Sequence, residues 1–347
     1  MYKRKLLVII SLIGVLIGAY FVIQFYQIFF WSNTTFNNEA SYIFIDRDDT
    51  IDSLKLQLLP LLKSVDRFLI AAEKKGYVSR IRPGKYKLVP EMGNNELINV
   101  LRSQKQTVSV VFNNQERLED LAIRVAEQIE PSAEELLAAF KDLNFLNKEG
   151  FTEENALSMY LPNSYNAFWD ATPEDFRGLM LTNYKRFWNE ERRAKAKKLG
   201  LTPNEVYILA SIVQKESVKK EEQHRIAGLY LNRLKKQMRL QADPTVIFAI
   251  KRASNDFDLK IKRVLYKDLR LNSPYNTYKG SGLPPGPIAM PDLSAIEAVL
   301  NPEQHEFLYF VVSPRKQGYH LFAKDLVQHN KNKKEYVQWI NKLKIYR

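Results

Sequence analysis

Glu216 closes the run Ala210-Ser211-Ile212-Val213-Gln214-Lys215-Glu216-Ser217, where an ionisable carboxylate falls on the apolar side of a helical pattern. It lies seven residues past Leu209, four past Ile212 and three past Val213. Each of those offsets returns to the same helical face. Burial disfavours the charged form of a carboxylate and raises its pKa. A carboxyl group still protonated near neutral pH is a proton donor, the chemistry that cleavage of a glycosidic bond requires. Spacing alone leaves a second reading open, in which Glu216 sits at the frayed end of an apolar stripe and pairs with Lys219 or Lys220.

The helix that must position Glu216 has a strong start signal. In Thr202-Pro203-Asn204-Glu205, Thr is a favoured N-cap, Pro suits the first helical position and Glu completes a capping box. Val206, Leu209, Ile212 and Val213 then mark the expected buried face. A competing motif overlaps the helix end. Ser217-Val218-Lys219-Lys220 fits S-x-x-K, the pattern of serine acyl-enzymes. No K-T-G supports it, and Ser164-Tyr165-Asn166 precedes it where an S-x-N should follow.

Composition removes other chemistries. The chain has no Cys, which excludes disulfide frameworks, Cys nucleophiles and Cys-built zinc sites. Its four His, at 224, 305, 320 and 329, form no paired ligand spacing, so no metal site and no cofactor are expected.

At the N-terminus, Lys3, Arg4 and Lys5 precede an apolar run from Leu6 to Trp31. That exceeds the roughly 20 residues a helix needs to cross a bilayer core. It is also too long for the apolar core of a cleaved signal peptide, about 7–15 residues. The positive-inside rule predicts a single-pass anchor in the cytoplasmic membrane, N-terminus in the cytoplasm and the remainder outside it. The net charge of +13 then suits anionic lipid headgroups or an acidic wall polymer. Nucleic acid is not an expected partner, because the basic residues fall on the far side of the membrane.

The rest of the chain mixes strand and helix signals, the pattern of an α+β fold. Strands are expected at Ser41–Ile45, after the Arg82-Pro83-Gly84 turn, at Thr107–Phe112, at Phe307–Val312 and at His320–Phe322. Helices are expected from about Val65 to Lys75, over Leu118–Leu143, and through most of Glu174–Met238. The segment Asn272–Asp292, with Pro274, Pro284, Pro285, Pro287 and Pro291, reads either as a linker or as a Pro-fixed loop shaped for binding.

Several blocks together carry a family resemblance. They are the Glu216 run, Ala227-Gly228 with Leu231-Asn232-Arg233-Leu234, and Met238-Arg239-Leu240-Gln241-Ala242-Asp243-Pro244-Thr245-Val246. Next come Ser273-Pro274-Tyr275-Asn276-Thr277-Tyr278, Gly282-Leu283-Pro284-Pro285-Gly286-Pro287-Ile288, Tyr309-Phe310-Val311 and Gly318-Tyr319-His320-Leu321-Phe322. In this order they resemble the endolytic murein transglycosylase family (MltG, YceG-like). The resemblance implies a membrane-anchored lytic transglycosylase that cuts the MurNAc-GlcNAc bond of nascent glycan strands and terminates their growth. It implies 1,6-anhydro ends and partnership with peptidoglycan synthases.

The family's catalytic Glu maps onto Glu216. Gln214 stands where many members carry a further Glu, and Leu161-Pro162-Asn163-Ser164-Tyr165 departs from the family's aromatic-Pro-acid-Thr-Tyr string. Gln241, Asp243, Asn276 and Tyr278 are the expected substrate-binding residues. For Asp243 a helix-cap role, and for Asn276 a loop-bracing role, stay open. The implied plan is a cytoplasmic stub (1–5), a transmembrane helix (6–31), a linker (32–40), a LysM-like module (41–105), a connecting strand and helices (106–150) and a catalytic domain (151–347). A different class of function, a catalytically idle wall-binding scaffold for the synthesis machinery, fits the same plan.

Overall fold

The computed structural model describes residues 2–342. The apolar run forms one uninterrupted helix, α1 (Tyr2–Phe29), with no residue buried. Among the described residues it is the one helix long and apolar enough to cross a membrane. The contacts divide the chain into two compact units, and α1 belongs to the first, with Met1–Val110, Gln128–Pro131 and Tyr165–Thr172.

In the first unit, β1 (Ser41–Ile45) is followed by α2 (Ile51–Leu58), α3 (Val65–Lys74), β2 (Gly84–Leu88), α4 (Asn94–Ser103) and β3 (Lys105–Phe112). Thr50 and Ser64 cap α2 and α3 by accepting bonds from the third backbone N–H of each helix. β1 and β2 pair antiparallel, Ser41 opposite Leu88 and Ile45 opposite Gly84. A later strand, β4 (Asn163–Phe168), completes a sheet of order β1-β2-β3-β4. Sequence reading treats β4 as turn-rich, because Asn and Ser carry turn signals and the pairing partner is remote in sequence.

The core of this unit is Ile43, Ile45, Leu54, Leu58, Phe68, Leu97, Ile98 and Leu101. The end of α1 is tied to it. Buried Asn94 donates to the Ile28 carbonyl at 2.7 Å and accepts from the Asn33 side chain at 2.7 Å. A Cβ at Gly93 would meet the Phe30 carbonyl oxygen at 2.8 Å, so only glycine permits this approach.

The second unit is mainly helical. The stretch expected as one helix over Leu118–Leu143 is two, α5 (Leu118–Ala126) and α6 (Ala133–Phe140), followed by α7 (Leu143–Glu149). The break has a local cause, since Pro131 precedes Ser132, whose hydroxyl and Glu135 form a new capping box. Then follow α8 (Pro173–Phe187), α9 (Glu190–Lys198), α10 (Pro203–Glu216), α11 (Lys220–Lys235), α12 (Asp243–Ser254) and α13 (Leu293–Leu300). The hairpin of β5 (Tyr309–Val312) and β6 (His320–Ala323) precedes α14 (Leu326–Lys342). The architecture is mixed α+β with small sheets, as expected.

α10 is the hub of this unit. Its predicted capping box is present. Burial, however, is not confined to one stripe, because every residue from Val206 to Val213 is buried. A helix covered on all sides is a core helix. The Asn272–Asp292 segment is packed: Tyr275, Asn276, Ile288, Ala289 and Met290 are all buried. Ser211 on α10 holds it by accepting the Ile288 N–H at 3.1 Å.

Candidate active site

Glu216 ends α10 at the point where the helix leaves the core. It is partly buried, and its Oε1 accepts a hydrogen bond from the Tyr230 hydroxyl of α11 at 2.7 Å. No ion pair joins it to Lys219 or Lys220 among the described residues. Burial pushes its carboxyl up to about 7; the Tyr230 bond opposes this, the Asp243 charge adds to it, and His320 and Arg233 oppose it. Its second oxygen, Oε2, has no hydrogen-bond partner among the described residues.

Three segments converge on this carboxyl. Asp243 is the first residue of α12, exposed, and its Oδ1 accepts from the Tyr278 hydroxyl at 2.6 Å. Burial and that bond to Asp243 push the Tyr278 phenol far above its ordinary range, so it stays protonated and donating. Gln241 sits in the left-handed region at φ 50, and its N–H donates to the Thr277 carbonyl at 3.1 Å. Its side chain is exposed. The Ala242 N–H and the Thr245 hydroxyl reach the Thr277 hydroxyl at 3.0 and 2.8 Å, stitching the start of α12 to the Tyr278 loop.

Asn276 has a different position. It is fully buried, and its amide donates to the Leu269 and Leu271 carbonyls at 3.1 and 2.8 Å. Its Oδ1 accepts the Tyr278 N–H at 3.0 Å. The carboxamide is spent on its own loop and orients Tyr278. Of the four predicted binding residues, Asp243 and Tyr278 are near enough to interact electrostatically with Glu216, Gln241 is exposed at the turn before α12, and Asn276 is buried in the loop that carries Tyr278.

Sequence reading does not single out Tyr230 or Glu222. Buried Glu222, near the start of α11, accepts from the backbone N–H of His320 at 2.8 Å and meets its Nδ1 at 2.8 Å. The Ser217 hydroxyl donates to the same carboxylate at 3.2 Å. Ser217 is thus a bracing residue next to Glu216, and no contact with Lys220 supports an acyl-enzyme pair. Arg233 of α11 donates to the Leu308 carbonyl at 2.6 Å and the Leu240 carbonyl at 2.7 Å, joining the hairpin to the Gln241 turn. A separate cavity of about 240 Å³ is lined by Glu116, Arg117, Phe248, Arg252 and Tyr275, and Glu216 is not in its wall. No His, Cys, Asp or Glu cluster suited to a metal occurs among the described residues.

A protonatable carboxyl at the end of a buried helix, ringed by Tyr230, Asp243 and Tyr278, coincides with a family match over residues 43–335. The chain belongs to the YceG-like family. A Bacillus subtilis (strain 168) protein named endolytic murein transglycosylase is 31% identical over 294 residues, 80% of this chain and 79% of its own. A Streptococcus pneumoniae (strain D39) protein of the same name is 36% identical over 141 residues, 41% of this chain and 25% of its own. The crystal structure of a YceG-like protein from Listeria monocytogenes matches with a TM-score of 0.56 at 25% identity, over 85% of this chain and 99% of that one. In this YceG-like chain the blocks quoted from the sequence fall on α10, α11, the start of α12, the Asn272–Asp292 loop and the hairpin.

Proposed function

We propose that this chain is a murein transglycosylase of the lytic type, with Glu216 as its catalytic residue. The carrying observation is a partly buried carboxyl whose pKa stands at about 7, with Oε1 held by Tyr230 and Oε2 unpartnered. Such a group is protonated in a large fraction of molecules at neutral pH and can also act as a base.

In the reaction, Oε2–H donates its proton to the oxygen between MurNAc C1 and GlcNAc C4, and the C1–O bond breaks. Positive charge develops at C1 in an oxocarbenium-like state. The carboxylate left behind takes the proton of the MurNAc C6 hydroxyl, whose oxygen bonds to C1. The enzyme is restored, and the products are a 1,6-anhydro-MurNAc end and a free GlcNAc 4-hydroxyl. Gln241, Asp243 and Tyr278 hold sugar hydroxyl and acetamido groups, and Asn276 serves by orienting Tyr278.

The same reading gives the chain a place. α1 anchors it in the cytoplasmic membrane with the catalytic unit outside the cytoplasm, where it terminates nascent strands beside peptidoglycan synthases. Residues 41–105 contribute a LysM-like glycan-binding module and residues 151–347 the catalytic domain. Mass spectrometry of digested glycan tests the reaction, because anhydro products are lighter by one water than hydrolysis products. The Glu216→Gln variant should keep its fold by circular dichroism and release no product; undiminished release ends the proposal.

One observation favours a second reading. The Asp243 charge raises the Glu216 carboxyl, so a second carboxylate stands near it, as a hydrolytic, two-carboxylate mechanism requires. Products of full hydrolytic mass, lost in Asp243→Asn, would select it.

A further inference from the structure

Between α12 and the Asn276 loop the backbone is irregular from 256 to 267. Within Leu259–Arg270 stand five cations, Lys260, Lys262, Arg263, Lys267 and Arg270, against one acid, Asp268. Asp268 is occupied locally, since its Oδ2 accepts the Leu265 N–H at 2.8 Å. None of the five cations is held by an ion pair or hydrogen bond among the described residues. Apolar residues alternate with them: Leu259 is 37% exposed and Tyr266 82% exposed, while Ile261 and Val264 are half-buried.

Unpaired cations alone describe a solvated basic face that favours solubility. An aromatic ring presented to water among them does not serve solubility. Cations reaching outward around an amphipathic ring and aliphatic side chains are what a lipid interface binds. The loop is also fixed at its far end, where the Asn276 amide holds the Leu269 and Leu271 carbonyls. Whatever seats this loop therefore also seats the loop that carries Tyr278.

We propose that Leu259–Arg270 docks on an anionic lipid surface, its cations on the headgroups and Tyr266 and Leu259 in the interface. Charge complementarity selects the partner, and α1 supplies a helix able to cross a membrane. A soluble polyanion would match the cations and leave the exposed ring without a role. The proposal is independent of what Glu216 does.

The absence of Cys makes the test clean. The full chain with Tyr266→Cys, labelled with an environment-sensitive dye, is placed in nanodiscs of phosphatidylcholine with or without phosphatidylglycerol. The expected result is blue-shifted emission, quenched by spin-labelled lipid, with phosphatidylglycerol only, and reversed by salt. Neutralising Lys260, Lys262, Arg263 and Lys267 to Gln should abolish it, each cation contributing about fivefold to the partition. Equal emission in both nanodiscs, or a response that survives neutralisation, overturns the proposal. A response to soluble poly(glycerol phosphate) with none to either nanodisc overturns it too and assigns the loop to a polymer.

Discussion

A carboxyl group that acts as an acid near neutrality must be shielded enough to hold its proton and open enough to give it away. Glu216 is partly buried and its two oxygens differ, one bonded to Tyr230 and one without a partner among the described residues. The Tyr230 bond favours the ionised form and is the largest influence opposing burial, so removing it in Tyr230→Phe raises the carboxyl further. Activity that needs protonated Glu216 falls as pH rises through about 7. In Tyr230→Phe that alkaline limb should move upward, with a rate loss of roughly 10-fold or more from the unfixed carboxyl. A pH–rate profile with an unmoved limb counts against the assignment. Linkage adds a stability signature. The folded pKa lies above the ordinary carboxylate value, so Glu216 subtracts stability progressively as pH rises from the carboxylate range to about 7, and by a constant amount above that. Glu216→Gln should therefore be more stable than wild type at pH 8, by up to roughly 3 kcal/mol, and equally stable at pH 4. The desolvated Glu was legible in helical spacing. Tyr230 was not, because it lies on the next helix and meets Glu216 only when α11 packs against α10. The available clue was chemical: a Tyr hydroxyl on a buried face needs a partner.

Elements hold this carboxyl in place by bracing its neighbour. Glu222 links Ser217 to the backbone and ring of His320, so one buried carboxylate fastens the end of α10, the start of α11 and the β5–β6 hairpin. Burial pushes the Glu222 carboxyl up, but the hydrogen bonds and charge of His320 together with the Ser217 bond outweigh it and hold it below the ordinary range. Its stabilisation is thus present above the unfolded carboxylate pKa and is lost as pH falls through that range. Glu222→Ala should cost roughly 2–4 kcal/mol at pH 7. The gap between the variant and wild-type melting curves should narrow toward pH 3; a gap constant with pH would refute the clamp. A second close approach is at Gly286, where a Cβ would meet the Glu154 carbonyl at 1.9 Å. Gly286→Ala must displace the Pro-rich loop and should lower both melting temperature and activity. Helix α10, with its capping box and apolar period, was readable in advance, and α11, which lacks a side-chain cap, only as part of the helical stretch Glu174–Met238. α13, β4 and α14 were not. α13 is only eight residues long and directly follows the Pro-rich loop, β4 mixes turn formers with its apolar residues and pairs far along the chain, and α14 is rich in polar residues.

At the scale of the whole molecule, the two most legible features lie far apart in sequence and meet in one requirement. The proposed function puts Glu216 outside the cytoplasm and so predicts that α1 crosses a membrane in one direction. Lys3, Arg4 and Lys5 lie in the first turns of α1, ahead of its apolar run, and no charged residue follows the helix until Glu39, so the positive-inside bias is carried entirely by the N-terminal side. The end of α1 is bound to Asn94 and backs onto Gly93, so the first folded unit begins directly at the end of α1. A chain without Cys allows the orientation to be measured with single labels. In intact cells lacking an outer-membrane barrier, the Glu39→Cys variant should react with a membrane-impermeant maleimide. The Tyr2→Cys variant should react only after permeabilisation. The reverse pattern would place Glu216 in the cytoplasm, away from any murein, and would remove the proposed reaction along with the proposed topology. Changing Lys3, Arg4 and Lys5 together to Gln should weaken the orientation, seen as partial labelling of the Tyr2→Cys protein in intact cells and a matching loss of transglycosylase activity.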